Sequence, residues 1–184
     1  MNTEHSEHNM LAASGLSAGA STKHGMHINH HYRFECFEYE GGPLLWSEEF
    51  DNLVTTAGHN KYLDATLKTG LASPAWYIGL KNTGTVNAAD TMASHSGWTT
   101  NTTYSNATNP AWTPGSIAAG SVDNSGSVAV FNINGSTTLY GAFLSDNSAV
   151  GGATGILLAA GDFGTAQPVI SGNVLNCTIT CTSS

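Results

Sequence analysis

The sequence predicts an all-β fold, an antiparallel β-sandwich of jelly-roll or immunoglobulin-like type with one short helix and an extended N-terminal arm. Two observations favour this fold. Apolar and polar residues mostly alternate along short runs, which is the period of a half-buried strand. Gly, Asn and Ser separate these runs at regular intervals. The length of 184 residues indicates a single domain of ordinary size.

The first 30 residues differ from the rest of the chain. Residues 1–30 combine small residues, Met and scattered His without any apolar period, which predicts an arm that has no core of its own. We therefore expect the compact domain to cover residues 31–184.

A β-hairpin is predicted at the start of this domain. Tyr32, Phe34 and Cys36 alternate with polar residues, and the turn-forming residues 41–43 (Gly-Gly-Pro) precede a second run at residues 44–50. Cys36 should therefore face inward as a buried free thiol.

One short helix is predicted after the hairpin. Thr55 or Thr56 can cap its N-terminus, and Gly70 can end it. An i, i+4 series indicates the face that should point to the core: His59, Leu63 and Leu67.

The remaining chain predicts strands and turns. Asn134 and Gly135 stand between two apolar runs and predict a type I′ turn, which needs positive φ at both positions. Cys177 and Cys181 would share one face of the last strand about 13 Å apart, too far for a disulfide. The predicted strands are residues 75–80, a short run around residue 98, and residues 127–133, 137–144, 155–160 and 174–181.

The charge composition excludes a nucleic-acid binder of the electrostatic kind. Thirteen acidic and five basic residues give a net charge of -8, and no Lys or Arg follows Lys81. No apolar run approaches the roughly 20 residues of a membrane span. Glu4 and Glu7 stand where a signal peptide carries positive charge, and residues 10–20 are weakly apolar. We expect a protein that is made in a cytoplasm and contacts neither membrane nor nucleic acid.

Four histidines near the end of the arm are candidate metal ligands. His24, His27 and His30 are spaced i, i+3 and i+6, and His31 follows them. Neutral imidazoles bind zinc, nickel or copper. No carboxylate or cysteine lies close to them within the arm. We therefore favour an arm that orders against a partner, and we expect no metal and no cofactor.

No motif for catalysis stands out. The sequence contains neither a Gly-x-Ser-x-Gly elbow nor a phosphate-binding loop. His95 lies near Asp90 and Ser94, but a Ser, a His and an Asp occur together by chance in so serine-rich a chain, and triads are recognised by geometry. We expect a protein that is not an enzyme.

Aromatic residues in the loops are candidate partner contacts. Trp98, Trp112 and Tyr104 lie in predicted loops, where they could meet another subunit or stack on a sugar. Trp76 lies within a predicted strand and should belong to the core.

Six segments of the chain resemble a family of small structural proteins of tailed bacteriophages. They are residues 34–50 (FECFEYEGGPLLWSEEF), 52–67 (NLVTTAGHNKYLDATL), 76–80 (WYIGL), 90–99 (DTMASHSGWT), 121–147 and 160–163 (AGDF). The resemblance extends over residues 31–184 and does not include the arm. It implies a virion component, and it supplies no catalytic residues.

Fold and resemblance together predict a capsid decoration or cement protein on the outer face of a phage head. Its expected partners are the major capsid protein or other virion proteins, with the arm contacting neighbouring subunits. A homo-oligomer is expected, most simply a trimer. The alternatives are a tail or tail-fibre component, and a host-surface carbohydrate-binding module.

Overall fold

The computed structural model describes residues 27–68 and 72–183. Within these ranges the chain forms two antiparallel sheets packed against each other and one helix, which confirms the predicted all-β sandwich. The predicted arm lies almost wholly outside the described residues. The elements are β1 Ile28–Phe37, β2 Leu44–Asp51, β3 Leu53–Val54, α1 Thr56–Leu67, β4 Trp76–Gly84, β5 Trp98–Asn101, β6 Ala111–Trp112, β7 Ser121–Asp123, β8 Ala129–Asn132, β9 Thr137–Ser145, β10 Leu157–Val169 and β11 Val174–Ser183.

The first sheet, here called sheet A, has the order β2-β1-β11-β7, and β8 also pairs with β11. The predicted hairpin is confirmed as β1 and β2. β1 begins at Ile28, three residues before the expected start of the domain, because Ile28 pairs with Ser183 at the end of β11. The pairing continues along the whole of β1 to Phe37 opposite Val174.

The second sheet, sheet B, has the order β3-β10-β9-β4-β5, and β6 also pairs with β4. Alternating residues of both sheets meet between them, as in other sandwiches. Trp76 is buried in this core, as predicted. The largest buried side chains of the core are Tyr32, Phe34, Phe131, Ile78, Leu80, Leu139, Leu144 and Leu158.

The predicted hairpin turn at Asn134 and Gly135 is wrong. β8 pairs with β11 in sheet A, whereas β9 pairs with β4 and β10 in sheet B. The chain therefore crosses from one sheet to the other at this point. Neither Asn134 nor Gly135 has a positive φ, so the type I′ conformation is not adopted. The preference of Asn-Gly for a tight turn is overridden because the two flanking strands pair with different sheets.

The helix has the predicted N-terminus. Thr55 is its N-cap, and the Thr55 hydroxyl accepts a hydrogen bond of 3.0 Å from the backbone N–H of Gly58. The helix ends at Leu67; the predicted stop at Gly70 lies outside the described residues. No helix in the described part of the chain is long and apolar enough to cross a membrane.

The predicted inward face of the helix is wrong. Gly58 is the buried helical residue, and a Cβ there would lie 2.1 Å from the carbonyl oxygen of Leu158 in β10. The helix thus approaches sheet B through its glycine, and Tyr62 on the same side packs against the core. The series that was expected to face inward is exposed: His59, Leu63 and Leu67.

Candidate interaction site

Two cavities flank Ile28 at the beginning of β1. The first has a volume of about 230 Å³ and includes His27, Asn52 and His59 in its lining. The second, about 180 Å³, is bounded by residues such as Ile117 and Cys181. Ile28 lines both cavities. They therefore lie where residues 1–26 join the domain, and we call this region the Ile28 end.

A buried polar network ties the helix to β1 at the Ile28 end. His30 has no exposed surface, and its Nε2 lies 2.5 Å from the hydroxyl of Tyr62 in α1. The side-chain amide of Asn52 donates to the Tyr32 hydroxyl (2.8 Å) and to His30 Nδ1 (3.3 Å). With Nδ1 as the acceptor, Nε2 carries the proton and donates to Tyr62. His30, which the sequence placed in the arm as a candidate metal ligand, is thus a structural link between β1 and α1.

The same burial fixes the charge state of this network. Burial and the neighbouring His59 lower the pKa of His30 to about 4, so the imidazole is neutral at neutral pH. Burial also raises the pKa of the Tyr62 hydroxyl well above its ordinary value. Asn52 Oδ1 is buried without a hydrogen-bond partner. The network is therefore uncharged, and one of its hydrogen-bond acceptors, Asn52 Oδ1, has no donor.

Charged side chains gather on the outer face of β1 and β2. His31 lies 2.9 Å from an Asp51 oxygen and 3.6 Å from a Glu49 oxygen. Arg33 contacts Glu35 at 2.7 Å and Glu49 at 3.6 Å. The hydrogen bond with His31 lowers the pKa of Asp51. Because these groups are exposed, the pairs contribute little to stability and are weakened by salt.

The described members of the predicted histidine cluster, His27, His30 and His31, are not brought together. His30 points into the core while His31 points outward, because successive strand residues face opposite sides. His27 lines the first cavity, and His24 lies outside the described residues. Within residues 27–68 and 72–183, no group of three or more His, Cys, Asp or Glu side chains is placed to hold a metal ion.

The predicted exposed aromatic surface is wrong for two of its three residues. Trp98 is 2% exposed, and its indole N–H donates to Asp90 at 2.9 Å. Tyr104 is 5% exposed, and its hydroxyl donates a hydrogen bond of 2.5 Å to Asn109 Oδ1. Trp112 is half-buried, with its indole N–H bonded to a backbone carbonyl of β11 at 3.2 Å. Because Trp98 and Tyr104 are buried, their ring faces are covered by the domain itself, and of the three residues Trp112 alone is partly exposed.

The burial of Trp98 has a clear physical reason. The connection between β4 and β5, residues 85–97, lies over the outer face of sheet B. Its side chains Val86 and Met92 pack against that face. Together with Trp98 they cover Phe143 of β9, which would otherwise face water. The sequence signal for this was the spacing of Met92 and Trp98 in a segment otherwise rich in small polar residues.

His95 belongs to the same connection. Its ring packs against that of Trp98 at a tilt of 33° with 4.2 Å between ring centroids, and its Nε2 is buried without a hydrogen-bond partner. Burial lowers the pKa of His95 against the opposing effect of Asp90. Among the described residues no side-chain hydrogen bond joins His95 to Asp90 or to Ser94. These three residues therefore do not have the geometry of a Ser-His-Asp triad.

The three cysteines are free, as predicted. Cys36 and Cys177 are buried, and Cys181 is half-buried in the lining of the second cavity. Burial raises the pKa of Cys36 to about 11 and that of Cys181 to about 12. All three thiols are therefore protonated and weakly nucleophilic in the folded chain.

The Ile28 end is thus the described region where cavities, exposed apolar side chains and the junction with residues 1–26 coincide. Its chemistry is that of a contact surface, with apolar walls and neutral hydrogen-bonding groups. No protein-family model and no curated protein sequence matches the chain.

Proposed function

We propose that this protein is a structural component of a tailed-phage particle, specifically a decoration or cement protein of the capsid that attaches through its Ile28 end. The observation that carries the proposal is the position of Ile28 between two surface cavities, at the junction with the 26 preceding residues. The resemblance of residues 31–184 to phage structural proteins supports the class of particle.

The second cavity has the character of a protein contact. Ile117 on its rim is 79% exposed, and Ile28 and Cys181 continue the apolar lining. Clustered exposed apolar side chains mark sites where another protein removes them from water. An interface that buries these groups needs no ionic contribution, which suits a chain with only 10% charged residues.

The N-terminal residues are long enough to bridge to a neighbouring subunit. Twenty-six residues in extended conformation span roughly 85 Å, whereas a domain of this size has a radius of gyration of about 15 Å. A segment that starts at the Ile28 end can therefore reach beyond its own domain. This is the reach that a protein clamping adjacent capsid subunits requires.

The copy number in the particle tests the proposal directly. Purified virions are digested, and this chain is quantified by mass spectrometry against the major capsid protein. Tryptic reference peptides must come from the first 81 residues, because no cleavage site lies beyond Lys81. A ratio of the same order as that of the capsid subunit supports decoration. A ratio matching the symmetry of the tail supports the tail alternative, and absence from the virion refutes both.

Binding to undecorated heads tests the Ile28 end. We expect deletion of residues 1–26 and the change Ile117→Ser each to weaken binding. The matched control is Ile170→Ser, since Ile170 is also exposed (58%) but lies between β10 and β11, near the other end of β1. If the deletion and Ile117→Ser bind as the wild type does, attachment through the Ile28 end is wrong. Mass measurement in solution tests the expected trimer.

A further inference from the structure

We propose that Lys81 and Asp162 condense to form an intramolecular amide bond, which joins β4 to β10 across the intervening strand β9. This proposal does not rest on the function proposed above. It rests on the contact between the two side chains, on the complete burial of the lysine and on a glycine that leaves space for the link.

The two residues are aligned across three strands of sheet B. Lys81 in β4 is opposite Gly141 in β9, and Gly141 is in turn opposite Asp162 in β10. A Cβ at Gly141 would lie 2.0 Å from the carbonyl oxygen of Gly161, and the φ of +157° is rarely adopted by other residues. Because Gly141 carries no side chain, nothing on β9 separates the Lys81 ammonium from the Asp162 carboxylate.

The lysine is removed from water. Its side chain is 0% exposed, and its Nζ donates to Asp162 Oδ1 and, at 2.9 Å, to the carbonyl oxygen of Gly84. The ring of Trp98 lies 5.9 Å from Nζ. Burying an ammonium is costly, and condensation removes this buried charge. Transfer of one proton from Nζ to the carboxylate leaves an amine in contact with a carboxylic acid.

The condensation then balances without an oxidant or a reductant. The lone pair of Nζ attacks Cγ of Asp162, which forms the C–N bond and a tetrahedral intermediate. A proton from the nitrogen passes to one hydroxyl of this intermediate, the C–O bond breaks, and one water molecule leaves. The Asp162 side chain is 47% exposed, so the water has a direct path to solvent. Holding the two groups in contact corresponds to effective molarities on the order of 10⁵ M or more.

The bond would link two strands that are not neighbours in the sheet. It would constrain the chain from residue 81 to residue 162, which includes β5 to β9, in the unfolded state as well as in the folded one. A disulfide stabilises a domain through the same kind of constraint. The amide differs from a disulfide because reducing agents do not break it.

Intact mass spectrometry of the full chain tests the proposal. We expect the wild-type mass to be lower than the sequence mass by that of one water molecule. The control is Lys81→Arg, which keeps a cation beside Asp162 but has a guanidinium that does not condense with a carboxylic acid. This variant should have its full sequence mass. A wild type of full sequence mass refutes the bond and leaves an ion pair, and a water loss that persists in Lys81→Arg refutes its assignment to this pair.

Digestion of the unfolded protein with trypsin localises the bond, independently of whether the variant folds. Lys81 is the last basic residue of the chain, and trypsin does not cleave after an amidated lysine. The wild type should therefore yield residues 69–184 as one peptide that is lighter by one water. Recovery of unmodified residues 82–184 as a separate peptide from the wild type contradicts the proposal. Lys81→Arg should release that peptide.

Discussion

Protonation of His30 should make the stability of the domain depend on pH between about 6.5 and 4. Burial lowers the pKa of His30 from 6.5 to about 4 in the folded chain. Between these values the unfolded chain binds a proton at this site and the folded chain does not. The free energy of unfolding therefore falls as the pH is lowered through this window. Above pH 6.5, the pKa of His30 in the unfolded chain, burial of the neutral imidazole costs no stability.

The size of the effect follows from the pKa difference. A shift of one pKa unit corresponds to about 1.4 kcal/mol. The full difference at His30 therefore amounts to about 3 kcal/mol below pH 4, of which about 2 kcal/mol is lost between pH 7 and pH 5. Few carboxylates titrate in that upper range, so the signal from a buried histidine can be measured there.

Urea unfolding at pH 7, 6 and 5 measures this dependence. The test variant is His30→Gln, and the matched control is His31→Gln, which changes the next residue on the exposed face of β1. The lowered pKa of His95 contributes in the same direction in all three proteins, so only the difference between proteins matters. We expect the control to keep most of the pH dependence and His30→Gln to lose about 2 kcal/mol of it. An equal pH dependence in wild type and His30→Gln would refute the reasoning.

Two further substitutions test the packing of the sheets by urea unfolding. Gly79→Ala places a Cβ 2.1 Å from the ring of Phe143, and we expect a loss of about 1–3 kcal/mol from overpacking; Gly126→Ala, where no atom lies within 4 Å, is the control and should change little. The buried side chain of Asn124 donates to Cys177 O and accepts from the backbone of β11. Asn124→Ala leaves both groups unpaired, for an expected loss of about 1–3 kcal/mol or more, and an unchanged midpoint would contradict that role.

The parts of the fold that local pattern determines could be predicted from the sequence. The alternation of Tyr32, Phe34 and Cys36 indicated both the hairpin and its inward face, because the period of two and the following turn lie within one segment. Thr55 was predictable as an N-cap for the same reason, since its bond partner Gly58 is three residues away. These signals depend on neighbours in the chain.

The features that were missed depend on residues distant in sequence. The helix face follows from the close approach of Gly58 to Leu158, which no helical period reveals. The Asn134 turn failed because the strands on either side belong to different sheets.

The candidate site shows the same limit. The buried partner of His30 is Tyr62, which is 32 residues away. Extending the alternation of Tyr32 and Phe34 back by two residues places His30 on the inward face, but the domain was expected to begin only at residue 31. The burial of Trp98 likewise requires Phe143. Side chains that the sequence pattern placed on loops or in the arm are thus drawn into the domain by partners that only the tertiary structure supplies.

The antiparallel pairing of β1 with β11 determines how the domain responds to mechanical force. Ile28 and Ser183 are paired, so the outer ends of the two strands lie side by side. A pull applied at these two points opens the ladder one pair at a time, like a zipper, and takes less force than shearing all pairs together. The domain is therefore mechanically weak when it is stretched between Ile28 and Ser183.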